Sequence, residues 1–267
     1  MLNFEILGGL QVHSPTGVHE VSGVSKRVLL QALLVSEERT VSHGALVEEV
    51  WGEDVPTGVV NALQAHISRL RKWLRSIGGD AGGTRLVSFS HGYQLVLGDA
   101  RLDATDFRDA VVEAAALRES EPEKAVDALR SALPLWRGPV FGGNFGGLLS
   151  ECAATRYNEL RLQALETLFD AEISLGRHAS LLGELYEAHR ANPLRERFCA
   201  QLMLALYRSG RQAEALTVYR RTRDRLGDEL GIDPTPDLRK LEECILRHAP
   251  WLRSAADNTP ALAPAGR

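Results

Sequence analysis

Between Val59 and Ile77 the chain spaces its apolar residues in steps of four and three: Leu63, Ile67, Leu70, Leu74 and Ile77. At roughly 100° per residue these positions fall on one narrow stripe, so the segment predicts a helix with that stripe in a core. The opposite face carries Asn61, Gln64, Ala65, Ser68, Lys72 and Arg75, flanked by Arg69 and Arg71. No acid occurs from Val55 to Gly79. A charged outer face is most often merely solvated, but solvated helices usually mix signs. Charge balance sharpens the contrast. The chain has 31 Lys+Arg against 35 Asp+Glu, a formal charge of −4, which excludes a polybasic, histone-like binder. A local cationic face on a neutral body suits a protein that meets an anion with one element.

The flanking sequence gives that helix a setting. Residues 2–7 and 10–13 read as strands, broken by Gly8-Gly9. SGVSKRVLLQALLVSEE reads as a first helix capped by Ser25, and a second runs from about His43 to Gly52. EDVPTG is a loop before the basic helix, and RLVSFSHGYQLVL alternates about His91-Gly92 as a β-hairpin does. Helix, helix, basic helix, hairpin is the order of a winged helix-turn-helix. The small and amide-bearing first turns of its third helix suit an approach to base edges, and the cations further along suit phosphates.

From Leu102 onward the pattern is almost wholly helical, which places a domain boundary near 99–103. The Gly/Pro-rich stretch PLWRGPVFGGNFGG at 134–147 divides the helical half again, and its GGNFGG at 142–147 reads as a flexible link between helices. Gly176 and Gly210 lie thirty-four residues apart, the period of tetratricopeptide helix pairs. Residues 253–267 read as a disordered tail. The expected organisation is an α+β winged helix-turn-helix at 1–98, an all-α tetratricopeptide-like domain at 99–252, and the tail.

Chemistry is sparse. GGNFGG does not match G-x-G-x-x-G, no G-x-x-x-x-G-K-[ST] is present, and the eight histidines are scattered. No catalytic residue, metal site or cofactor is expected, and the chain is not read as an enzyme. Cys152, Cys199 and Cys244 lie far apart and are expected to be buried thiols. The opening MLNFEILGGL has neither a basic leader nor a long apolar run, so a cytoplasmic protein without a membrane partner is expected. The competing class is a tetratricopeptide-like interaction scaffold or a ligand-sensing adaptor.

HISRLRKWL followed by HGYQL resembles the recognition helix and wing of OmpR-type effector domains. LDATDFRDAV, ALPLWRGPVF and the run ending ELGIDPTPDLRKLE resemble the bacterial transcriptional activation domain. Together, over about residues 2–250, the chain is similar to the Streptomyces antibiotic regulatory protein (SARP) family. The resemblance implies an activator of a secondary-metabolite (antibiotic) gene cluster that binds direct repeats near the −35 region of double-stranded promoter DNA. It implies a side-by-side homodimer on DNA and recruitment of RNA polymerase holoenzyme through its sigma factor. By position, Asn61, Ala65, Ser68 and Arg69 should meet bases, and Lys26, Arg27, Arg71, Lys72, Arg75 and the wing at Gly92 and Tyr93 the backbone. Tyr93 fits equally a core residue packing the wing onto the third helix. Glu53 and Asp54, in the loop before that helix, are expected to meet polymerase. Larger relatives add an ATPase module or a receiver domain, and neither is expected within this chain.

Overall fold

A computed structural model describes residues 1–78 and 83–252. The tail at 253–267 and the expected stop at Gly79 lie outside the described residues. Three short strands, β1 (Asn3–Glu5), β2 (Gln11–Ser14) and β3 (Gly17–Glu20), open the chain. With β7 (Arg101–Leu102) they form a sheet of order β3-β2-β1-β7, in which β1 is antiparallel to β2 and parallel to β7. Neither β3 nor β7 is among the strands expected from the sequence; β7, at two residues, is too short to display alternation.

Helices α1 (Val24–Val35), α2 (His43–Trp51) and α3 (Val59–Ser76) follow. Between the first two lies β4 (Val41–Ser42), and after the third come β5 (Arg85–Phe89) and β6 (Gly92–Val96). These three strands form a sheet of order β4-β6-β5, the wing. Gly23, rather than Ser25, precedes α1 as its cap. Ser42 caps α2, its hydroxyl accepting from the Ala45 amide at 3.2 Å.

The second half is helical: α4 (Asp103–Leu117), α5 (Pro122–Ala132), α6 (Leu148–Ser174), α7 (His178–Ala191), α8 (Glu196–Arg208), α9 (Gln212–Leu230) and α10 (Pro236–Leu246). Gly176 and Gly210 adopt φ of 77° and 75°, a left-handed turn that glycine enters without a Cβ penalty. Each turn opens a helix, α7 or α9, that packs on α8, the arrangement expected of the thirty-four-residue repeat. Buried Phe169 and Phe198 meet edge to face at 6.0 Å inside this stack. Among the described residues no helix is long and apolar enough to cross a membrane. Of the cysteines only Cys199 is fully buried, and burial pushes its thiol up to about 12; Cys152 is exposed and Cys244 half-buried, contrary to expectation.

Packing divides the chain differently from composition. One compact unit joins Met1–Val112 to Ser131–Leu162, and the other joins Glu113–Arg130 to residues from Gln163 onward. The Gly/Pro-rich stretch at 134–147, with the GGNFGG expected to be a flexible link at its end, is a strap within the first unit. Val140 and Phe141 are buried, the Arg137 amide donates to the Leu7 carbonyl at 2.7 Å, and the Phe141 amide to Ile6 at 2.9 Å. A Cβ on Gly146 would stand 2.3 Å from Val28, so this glycine permits close approach to α1 rather than flexibility.

Two buried carboxylates fasten the strap. Asp103 accepts the Ile6 and Leu7 amides and Arg137 Nη2 at 2.9–3.1 Å. Burial nevertheless holds its carboxyl above the ordinary range, because desolvation outweighs these donors. Glu49, on α2, accepts the Leu149 amide and, at 3.0 Å, the Ser150 hydroxyl, capping the start of α6. Glu49→Ala is therefore expected to lower stability by about 1–3 kcal/mol in urea denaturation, since two donors lose their partner in a buried place. A midpoint unchanged from the parent would show that this cap contributes nothing.

Candidate nucleic-acid interface

The geometry of α3 follows from its stripe. Leu63, Ile67, Leu70, Leu74 and Ile77 are buried to 6% exposure or less, and α3 packs on α1 and α2. Each such side chain contributes about 1.5–3 kcal/mol on leaving water, whereas burying a cation without a partner costs far more. The opposite face is thereby fixed outward. Asn61, Gln64, Ala65, Ser68, Arg69, Lys72 and Arg75 are all exposed. Arg69 and Lys72 form no hydrogen bond or ion pair with described residues. Val60, on the first turn, is 63% exposed, an apolar contribution that periodicity alone does not single out.

The start of α3 is also open. Gly58 precedes it in a left-handed conformation, no described side chain caps it, and its first turn lacks an acid. Unclaimed amides and the positive end of the helix dipole suit the approach of an anion. Glu53 and Asp54 lie in the fully exposed loop before it. On the flank, burial and then the Arg69 cation hold the His66 imidazole below its ordinary range, so it is neutral at pH 7 beside Trp51, 5.8 Å away.

Arg71 has a different role from the one expected. Its Nε and Nη2 donate to the Leu86 carbonyl at 3.1 and 2.9 Å, and Nη2 also to Ser88 Oγ at 3.0 Å. The guanidinium thus ties α3 to the first wing strand. Gly92 and Tyr93 correct the expectation as well, since both are buried. Tyr93 pairs with Val41 across the β4–β6 ladder and meets His43 edge-on at 5.1 Å, which makes it a core residue whose partners here are β4 and α2. A Cβ on Gly92 would stand 2.0 Å from the Val41 carbonyl oxygen, so this position serves strand approach. The wing instead exposes Phe89, Ser90 and His91 at its tip. Sequence reasoning put the turn at His91-Gly92 but the wing contacts at Gly92 and Tyr93, because a hairpin's alternation does not say which residues its third strand covers.

Lys26 and Arg27, expected together, are separated by the structure. Lys26 Nζ lies 5.3 Å from the centre of the Trp73 ring, which brings it alongside α3. Arg27 lines a cleft with Gln11, Glu20 and Asn144, beside the N-terminal sheet and the strap. Arg75 lines a small recess with Arg85 between α3 and β5.

The wing geometry is checked by two substitutions. Gly92→Ala is expected to destabilise the fold by about 3 kcal/mol or more, because the methyl and the Val41 carbonyl cannot coexist. Arg71→Ala should cost about 1 kcal/mol and raise amide exchange in β5, its two acceptors being partly in solvent. Wild-type thermal midpoints and exchange rates in both variants would contradict this assignment.

Comparison with known proteins adds the following. Residues 23–95 match the family model described as transcriptional regulatory protein, C terminal, and residues 102–246 match the bacterial transcriptional activator domain. The chain is 41% identical to the regulatory protein AfsR of Streptomyces coelicolor over 99% of its own length, but spans only 26% of that protein. It is 39% identical to the transcriptional regulator RedD of the same organism, covering 94% of this chain and 72% of RedD. It is 31% identical to the regulatory protein DnrI of Streptomyces peucetius, covering 98% of each. The solved structure of Mycobacterium tuberculosis EmbR in complex with a low affinity phosphopeptide superposes with a TM-score of 0.85 at 34% identity, over 92% of this chain and 65% of that one.

Proposed function

The chain belongs to the Streptomyces antibiotic regulatory protein family of transcriptional regulators, and we propose that it activates a secondary-metabolite gene cluster by laying α3 in the major groove of promoter DNA. The observation that carries this reading is the exposed, acid-free face of α3, set outward by a fully buried stripe. Asn61, Ala65, Ser68 and Arg69 approach base edges from its first turns. Asn pairs with adenine and Arg with guanine in two-pronged fashion, and small side chains let the helix come close. Lys72 and Arg75, with Lys26 alongside, meet phosphates, which give affinity and register but no sequence information. Arg71 acts indirectly, holding the wing so that Phe89, Ser90 and His91 stand beside the groove.

On this reading two copies bind direct repeats near the −35 region side by side, in the same orientation, and together present a surface to RNA polymerase holoenzyme and its sigma factor. The Glu53-Asp54 loop, exposed between α2 and α3, is the part of the DNA-reading unit assigned to that contact. A pure interaction scaffold built on α7–α10 is the second reading, and salt separates the two. A groove reader loses affinity steeply as salt rises, whereas a scaffold shows no saturable operator binding. Selection of bound fragments from the source genome with purified protein tests the main proposal and names its target together.

Arg69→Ala is expected to cost about 1–3 kcal/mol on the selected site and to relax preference at one base pair, while Lys72→Ala should weaken all sequences alike and lower the salt slope by about one. Uniform loss for Arg69→Ala would reassign it to phosphate, and an unchanged slope for Lys72→Ala would remove it from the interface. The Glu53→Ala, Asp54→Ala double variant should bind DNA normally yet activate transcription poorly in a reconstituted assay. Full activation by that variant would exclude the polymerase contact.

A further inference from the structure

A second concavity lies in the first unit, built by elements other than α3. The end of α1, the segment from Ser36 to Ser42, the start of α2 and the first turns of α6 enclose a cleft of about 520 Å³. That volume falls within the range of roughly 300–1,000 Å³ in which small-molecule sites occur. Its floor is aliphatic, with Ala32, Val35, Val41 and Ala153 all buried. Two guanidinium groups, Arg39 and Arg156, stand at its edge, and no acid among the described residues lines it.

The two cations are unequal. Arg156 Nη2 is held by Glu37 Oε1 at 2.8 Å, so its charge is partly balanced. Arg39 donates Nε to the Ser36 carbonyl at 3.0 Å, an anchor that leaves its terminal nitrogens for another acceptor. The chain just before Arg39, behind the lining, is fixed in place. Glu37 and Glu38 hold φ of 53° and 60°, Glu37 pairs with Arg108 at 2.9 Å, and Glu38 Oε1 accepts the Leu97 amide at 2.6 Å. By contrast, the larger cleft lined by α7 and α9 carries cations and acids in mixture and selects neither sign.

We propose that the cleft under Arg39 binds a small amphipathic anion, an apolar body ending in one carboxylate, sulfonate or phosphate. The body covers the aliphatic floor, and the anionic end takes the forked, charge-assisted hydrogen bonds that a guanidinium offers. A neutral molecule of the same shape forgoes that pairing, and a cation of the same shape is repelled. The site stands on its own residues and does not depend on DNA binding.

The probe is 8-anilinonaphthalene-1-sulfonate, an aryl sulfonate whose emission rises in an apolar site, titrated into the full chain. Saturable one-to-one binding is expected, displaced by decanoate and not by decylammonium at equal concentration. Arg39→Gln, at an exposed position, should weaken the sulfonate by about tenfold while leaving the thermal midpoint unchanged. Cys152→Phe, at an exposed lining position, should fill the cleft and remove the signal; if it also unfolds the chain, the Arg39→Gln titration decides. No saturable signal in the parent, equal affinity in Arg39→Gln, or displacement by decanoate and decylammonium alike overturns the proposal.

Discussion

Everything on the reading face depends on five aliphatic side chains of α3 leaving water together. Their burial fixes the roll of the helix about its axis, and the roll decides which residues can be touched from outside. Had a single acid stood among Ser68, Arg69 and Lys72, the same roll would have presented a mixed surface. The cations are exposed because a cheaper place for them does not exist, and the outward pattern is what remains once the core is satisfied.

The strap is the second constraint. Here α1 and α2 meet the strap and the start of α6: Gly146 lies against Val28, the Gln31 amide donates to the Asn144 carbonyl at 2.9 Å, and Glu49 accepts from Leu149 and Ser150. Asp103 and Glu49, nearly a whole domain away in sequence from the groups they bind, convert that backing from contact into registration. Both carboxylates are costly to bury, and each is accommodated by amide, hydroxyl or guanidinium donors placed around it. Two glycines of the strap are required by close approach: Gly146, because Val28 lies too near for a side chain, and Gly147, because Glu49 crowds it.

Much of this was legible in the sequence, for reasons that can be named. The three helices of the reading unit, the wing hairpin and the thirty-four-residue repeat all rest on periodicity or on turn chemistry, which act over neighbouring residues. The outward set of Asn61, Ala65, Ser68, Arg69 and Lys72 was legible for the same reason, as a complement of the stripe. What was hidden depended on partners distant in sequence. Arg71 looks like its neighbours on a helical wheel, and only the position of Leu86 and Ser88 shows where its guanidinium goes. Gly92 and Tyr93 read as a wing tip until β4 covers them. The strap reads as a linker because glycine permits mobility and close packing alike, and a one-dimensional pattern cannot tell which is used.

The first compact unit is drawn from two separate stretches of chain, Met1–Val112 and Ser131–Leu162. Inheritance has to respect that arrangement. A crossover that exchanges only the first hundred codons between two such genes would pair a foreign α2 with a resident α6, and the carboxylate of Glu49 would need an amide and a hydroxyl waiting in the new context. Substitution of a few outward residues of α3 leaves that joint untouched, whereas wholesale exchange of modules does not.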